Sequence, residues 1–99
     1  MDINSNYEVV ISDSAKAELD EIYSNLSEKA EKKLMEQIEE NVLRLEQFPY
    51  SCSEVRVKPH KEVFRKLVIK DYIVLYEVDE NYKQVTIYNV VYGNSDYLI

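Results

Sequence analysis

Residues 63–92 read VFRKLVIKDYIVLYEVDENYKQVTIYNVVY and decide the class of fold. β-Branched and aromatic residues dominate the runs 63–69, 72–78 and 85–92, and such runs are typical of strands. The connections, Lys70-Asp71 and residues 79–83, are short enough for hairpins. This half of the chain therefore predicts three consecutive antiparallel strands.

Two amphipathic helices are predicted before these strands. Their apolar residues recur at helical spacing, at Ala15, Leu19, Ile22, Tyr23 and Leu26 in the first and at Ala30, Leu34, Ile38, Val42 and Leu45 in the second. Either Ser12 or Asp13 can cap the first helix by accepting hydrogen bonds from its free amides, and the second begins near Ser27. Phe48-Pro49 ends the second helix, because a residue before proline is disfavoured in the helical region.

The order of the elements predicts one α+β domain over residues 1–99. Residues 7–11, Tyr-Glu-Val-Val-Ile, indicate a strand before the helices, and residues 50–61 are interpreted as a loop or loosely extended segment. The resulting order is β-α-α-β-β-β. The simplest architecture for it is a helical hairpin packed on one face of a mostly antiparallel sheet.

Composition excludes several classes of protein. No apolar run approaches the ~18 residues of a membrane span, and the N-terminal residues lack the basic and apolar regions of a secretory signal. The single cysteine, Cys52, cannot form an internal disulfide, which fits a cytoplasmic location. One cysteine and one histidine cannot supply four zinc ligands. We therefore expect no membrane partner, no metal and no cofactor.

The net charge of −7 is unevenly distributed. Residues 1–49 contain 12 acids and 5 bases, whereas residues 50–99 contain 7 of each. Residues 55–70 form a local basic stretch, in which Glu62 is the single acid beside Arg56, Lys58, Lys61, Arg65, Lys66 and Lys70. This stretch can meet a phosphate backbone or an acidic protein segment, or it is a solvated loop and strand face.

Three segments carry a resemblance to a known family: FRKLVIKDYIVLYEVDE at 64–80, VYGNSDYL at 91–98, and the opening strand followed by SDSA at 12–15. Together they resemble the RelE/ParE toxin superfamily, over roughly residues 7–98. The resemblance implies a small toxin of a bacterial toxin–antitoxin pair, of the kind associated with plasmid stabilisation, that is silenced by a cognate antitoxin. It further implies an antitoxin segment over residues 55–70 or over the exposed sheet face.

Two kinds of target follow from the resemblance. RelE-like members cleave messenger RNA on the ribosome, without a metal, and ParE-like members inhibit DNA gyrase. The expectation is a ribosome-dependent endoribonuclease, or mRNA interferase, that inhibits translation. The alternatives are a gyrase inhibitor and a decayed toxin that only binds its antitoxin.

The resemblance also implies catalytic residues. Metal-free RNA cleavage requires a base, an acid and cations that stabilise charge on the phosphate. Arg65 and Lys66 match the basic pair of the family, Tyr97 matches its C-terminal aromatic residue, and Asp96 matches the acid before it. Each of two residues has an alternative interpretation that stays open. Arg65 can instead be a surface charge paired with Glu62 or Asp96, and Tyr97 can instead be a core or rim residue.

The chain departs from the family at two places. Ile73 stands where RelE-like members usually carry arginine, and Asn94-Ser95 stands where they usually carry basic residues. Each lost contact to phosphate can cost on the order of 10²–10³ in rate. Arg56, Lys58 and His60 in the preceding loop are candidates for compensating contacts. Together with Lys61 and Lys70 they are the candidate RNA-binding residues.

Overall fold

The structure is a computed structural model that describes residues 6–56 and 63–93. Its elements are β1 (Glu8–Ile11), α1 (Asp13–Ser24), α2 (Glu28–Gln47), β2 (Ser53–Arg56), β3 (Val63–Ile69), β4 (Tyr72–Asp79) and β5 (Gln84–Tyr92). The strands form one sheet in the order β1-β5-β4-β3-β2. The pair β1–β5 is parallel and the other pairs are antiparallel. The predicted α+β class, with a helical hairpin on one face of the sheet, is confirmed.

Serine side chains start both helices. The Oγ of Ser12 accepts a hydrogen bond from the amide of Ala15 at 3.1 Å, and the Oγ of Ser27 accepts one from Ala30 at 3.2 Å. Each bond satisfies an amide that has no partner within its helix. Of the two cap candidates in the sequence, Ser12 is therefore the cap, and Asp13 lies in the first turn.

The interpretation of residues 50–61 as a loop or loosely extended segment missed the strand that Ser53–Arg56 form within them. These four residues form β2, an edge strand that pairs with residues 63–66 of β3. Their sequence, SEVR, is mostly polar and too short to show the apolar alternation that marks a half-buried strand. The strand depends on its partner β3, which is a tertiary contact that local sequence does not encode.

A bulge in β5 changes which residues face the helices. Strict alternation places four residues on one face: Val85, Ile87, Asn89 and Val91. The register between β4 and β5 shifts at Leu75/Tyr76, and Tyr88 is inserted as an extra residue. The alternation then reverses, so that Val90 is buried, whereas Val91 is only partly buried.

The core lies between the helices and one face of the sheet. Its buried residues are Ala15, Leu19, Leu34, Leu45, Leu67, Ile69, Val74, Tyr76, Val85, Ile87 and Val90. Tyr76 is fully buried, and its hydroxyl donates to the carbonyl of Pro49 at 2.6 Å. Burial raises the pKa of Tyr76 above its ordinary value. No helix in the described part of the chain is long and apolar enough to cross a membrane.

Candidate functional site

The sheet has a second apolar surface on the side opposite the helices. Leu67 on β3 and Val74 on β4 pair across the sheet and belong to the core. The pairs on either side of them along the strands are Lys66–Leu75 and Val68–Ile73. Side chains alternate between the two faces of a sheet, so these pairs lie on the other side. We call this surface the back face; among the described residues it comprises Phe64, Lys66, Val68, Ile73, Leu75, Glu77 and Tyr88.

Aromatic rings form the centre of the back face. The rings of Phe64 and Tyr88 meet edge to face with centroids 5.6 Å apart. The hydroxyl of Tyr88 donates to the carboxylate of Glu77 at 3.2 Å. Leu75 is only 3% exposed, although it does not belong to the core beneath the helices. The back face therefore carries an apolar cluster of its own, beside which Val68 is 57% exposed.

Lys66 is the one cation on the back face within residues 6–56 and 63–93. Its neighbours across the sheet are Leu75 on β4 and Ser53 on β2, and its side chain is partly buried. Ile73, which stands at the position of a family arginine, lies on the same face, paired with Val68. The described part of this surface is therefore mainly apolar and aromatic.

Arg65 lies on the side opposite Lys66, because it pairs with the buried Tyr76. Its Nη1 donates to the carbonyl of Cys52 at 2.6 Å and to that of Tyr50 at 3.4 Å. Its Nη2 contacts the carboxylate of Glu54 at 3.2 Å, and the side chain is 17% exposed. The guanidinium carbon also lies 4.9 Å from the centroid of the Tyr50 ring.

These contacts engage Arg65 with the edge strand and the loop before it. The partner that the structure describes is Glu54, whereas the two predicted partners, Glu62 and Asp96, lie outside the described residues. The guanidinium thus fixes β2 and the preceding loop to β3. A catalytic role for Arg65 stays a prediction.

A cluster of polar and aromatic side chains lies next to this loop. Glu80 accepts hydrogen bonds from the hydroxyls of Tyr7 at 2.7 Å and Tyr50 at 2.6 Å, and from the ammonium of Lys83 at 2.5 Å. These donors lower the pKa of Glu80 to about 2, with Lys83 the largest cause. The same carboxylate raises the pKa of Tyr50 to about 12. The cluster joins β1, the loop after α2 and the β4–β5 turn.

The predicted RNA-binding residues are not brought together where the structure describes them. Arg56 pairs opposite Val63 at the start of β3, and Lys70 follows the end of that strand. At ~3.3 Å per residue these positions are ~20 Å apart along the strand. Five further candidates lie outside the described residues: Lys58, His60, Lys61, Asp96 and Tyr97.

Sequence comparison identifies the family. Residues 9–97 match the profile of the ParE toxin of the type II toxin–antitoxin system parDE. The chain belongs to this family. It is the toxin of a toxin–antitoxin pair, as the resemblance implies. No curated protein sequence matches the chain significantly.

Solved structures of toxins share the fold. The chromosomal ParDE system of Pseudomonas aeruginosa matches with a TM-score of 0.67 and 19% identity over 90% of this chain and 98% of that chain. The RelBE2 complex of Mycobacterium tuberculosis matches with a TM-score of 0.62 and 18% identity over 88% and 98%. The isolated RelE toxin of Escherichia coli matches with a TM-score of 0.60 and 13% identity over 91% and 87%.

The structural relatives include both ParE and RelE toxins, and at these identities they show the fold alone. One of these relatives is described as a toxin–antitoxin complex and another as a ParDE toxin–antitoxin system. Sequence reasoning missed the Glu80 cluster and the apolar back face. Tyr7, Tyr50 and Glu80 are far apart in the chain, so no local pattern relates them.

Proposed function

We propose that this toxin acts by binding a protein target through its back face, and that the target is DNA gyrase. The observation that carries the proposal is the apolar and aromatic character of that face, with Phe64 against Tyr88 and an exposed Val68. Buried centres of protein interfaces are rich in aromatic residues and poor in charge. The match of the sequence to the ParE family supports the same target class.

The back face is poorly suited to phosphate within the described residues. Lys66 is its single cation there, and the carboxylate of Glu77 lies on the same face beside Tyr88. Affinity for nucleic acid depends chiefly on several lysines or arginines that neutralise phosphates. The guanidinium of Arg65 has the planar shape suited to binding phosphate through two hydrogen bonds. It donates instead to the carbonyl of Cys52 and the carboxylate of Glu54.

A supercoiling assay with purified gyrase tests the proposal. The wild-type chain should inhibit supercoiling, and Val68→Asp should weaken inhibition by about tenfold or more, because it places a charge in an apolar contact. Leu43→Asp is the matched control, since Leu43 is an equally exposed apolar residue on α2. Supercoiling that is unaffected by the wild-type chain would exclude gyrase as the target.

The second candidate function is a ribosome-dependent mRNA endonuclease of the RelE type, and one observation favours it. Lys66 places an ammonium group on the back face, where it can neutralise a phosphate. The test is transcript cleavage on isolated ribosomes. Cleavage that disappears in Lys66→Ala but persists in Lys16→Ala would establish this function over the first. A chain that neither blocks supercoiling nor cleaves transcripts, and that binds its antitoxin, would be a decayed toxin.

We also propose that the antitoxin covers residues 55–70 or the back face. An apolar surface with an exposed valine is a suitable anchor for a segment that folds on binding. Neutralisation of Lys66 and Lys70, which leaves the contacts of Arg65 with β2 in place, should weaken the complex. A matched antitoxin that bound the neutralised chain with unchanged affinity would exclude the basic stretch as the contact.

A further inference from the structure

A groove crosses the end of the molecule at the β3–β4 turn, on the side of the helices. One part, of about 540 Å³, lies between α1, the start of β4 and the end of β5. The adjoining part, of about 220 Å³, lies between α2 and the β3–β4 turn. Leu26 and Tyr72 line both parts, so the two are adjacent. We call this surface the end groove.

The floor of the end groove is apolar and aromatic. Ile22 and Val90 line the first part, and Leu34 lines the second. The rings of Tyr72 and Tyr92 meet edge to face with centroids 5.8 Å apart. A groove with such a floor gains affinity by burying apolar side chains of a ligand.

The two parts of the groove differ in charge. Glu18 and Glu21 line the first part, but the Oε1 of Glu18 already accepts the amide of Val90 at 2.8 Å. Glu21 is therefore the acid available to a ligand. Lys33 and Lys70 line the second part, together with Asp71. Within the described residues, Glu21 and the two lysines make no ion pair with one another or with other side chains.

A buried polar atom marks the basic part. The side-chain Oε1 of Gln37, which lines this part, is buried and has no hydrogen-bond donor among the described residues. Such an oxygen costs free energy while it has no donor, and because it is buried a ligand can supply one only if the Gln37 side chain turns outward. A backbone amide of a bound peptide is a donor of the required kind.

We propose that the end groove binds a short extended segment of a protein partner, in which an apolar residue stands between a basic and an acidic one. The basic residue of the bound segment pairs with Glu21, and its apolar residue contacts Leu26 and Tyr72. Its acidic residue pairs with Lys33 and Lys70. A nucleic acid fits less well, because Glu21 repels phosphate. None of the residues assigned here to ligand contacts lies on the back face, so this inference is independent of the proposed target.

The test uses the full chain, labelled with ¹⁵N, and the peptide acetyl-Arg-Ala-Leu-Ala-Glu-amide. Titration should shift the amide resonances of Glu21, Leu26, Lys70 and Tyr72, and should leave that of Val68 on the back face unchanged. Glu21→Lys and Lys33→Glu should each weaken binding by about threefold or more, as expected for one exposed ion pair. Glu36→Lys and Lys16→Glu are the controls, since they make the same changes of net charge elsewhere.

Several results would overturn the inference. One is the absence of shifts at peptide concentrations of several millimolar. A groove of this size should bind the peptide with a dissociation constant no weaker than that concentration. Another is equal binding by the groove variants and the controls. A third is a stronger shift of the same amides by a hexamer of uridine, which would assign the groove to nucleic acid.

Discussion

The carboxylate of Glu18 on α1 lies 2.8 Å from the backbone nitrogen of Val90 and accepts its hydrogen bond. The same carboxylate accepts the side-chain amide of Asn89 at 3.2 Å. Strand β1 pairs with residues 84–87 of β5, and among the described residues no strand pairs with the rest of that edge. Helix α1 covers it, and Glu18 supplies the acceptor that a strand would otherwise supply.

Replacement of Glu18 should destabilise the fold. Glu18→Ala leaves the partly buried amide of Val90 without an acceptor, so we expect a loss of about 1–3 kcal/mol. Glu18→Gln keeps an acceptor oxygen and should lose less. Urea unfolding measures both. Glu21→Ala is the control, because Glu21 is exposed on the same helix, and an equal loss in the control and in Glu18→Ala would contradict the account.

Replacement of Arg65 should lower stability as well as any activity. Arg65→Ala removes charged hydrogen bonds to Cys52 and Glu54 and the stacking on Tyr50, and should cost about 2–4 kcal/mol. Thermal unfolding followed by circular dichroism measures the loss. An Arg65→Ala chain that is inactive but fully stable would show that Arg65 acts directly on the target rather than through β2.

The Glu80 cluster should make stability depend on pH at both extremes. Folding lowers the pKa of Glu80 from 4.5 to about 2, so its contribution is complete above pH 4.5 and is lost as the pH falls to about 2. Folding raises the pKa of Tyr50 from 10.0 to about 12, so that contribution is complete below pH 10 and is lost as the pH rises to about 12.

Variants separate these two effects. The difference in unfolding free energy between wild type and Glu80→Gln should be constant at neutral pH and should shrink between pH 4.5 and 2. The corresponding difference for Tyr50→Phe should shrink between pH 10 and 12. Differences that do not vary with pH in these windows would show that the hydrogen bonds are absent in solution.

A side chain at Gly93 should lower the stability of the fold. Its amide donates to the carbonyl of Asp71 at 2.7 Å, and a Cβ at this position would lie 3.0 Å from that same backbone oxygen. Gly93→Ala should therefore cost about 1 kcal/mol, because the carbonyl of Asp71 has to give way slightly. Chemical unfolding with urea checks this value. An unchanged urea concentration at the midpoint would mean that the β3–β4 turn moves aside without a measurable loss of stability.

Local sequence patterns predicted most of the fold. The apolar stripes of α1 and α2 and the three apolar strands appear where their periodicity places them, and the structure selects Ser12 from the two cap candidates of α1. β2 was missed because its stability comes from pairing with β3 and from the contact between Arg65 and Glu54. The bulge at Tyr88 was missed because it arises from pairing with β4, so period-two alternation failed after Ile87.

The candidate site was less accessible to sequence reasoning. Arg65 and Lys66 lie on opposite faces of the sheet, which follows from their adjacent positions in a predicted strand because side chains alternate along it. Which of them faces the helices depends on the register with Tyr76 and Leu75, and that register is a property of the assembled sheet. The resemblance to the family marked both residues, but the geometry shows that Arg65 is engaged with β2.

The most direct test of the protein-target account is the order in which DNA and protein synthesis stop after induced expression in bacteria. Labelled nucleotide and amino-acid incorporation are followed for the wild type, Val68→Asp and Leu43→Asp. The account predicts that DNA synthesis stops first in the wild type and in Leu43→Asp, and that Val68→Asp relieves the arrest. An earlier halt of protein synthesis, unaffected by Val68→Asp and relieved by Lys66→Ala, would contradict it and identify the toxin as an mRNA endonuclease.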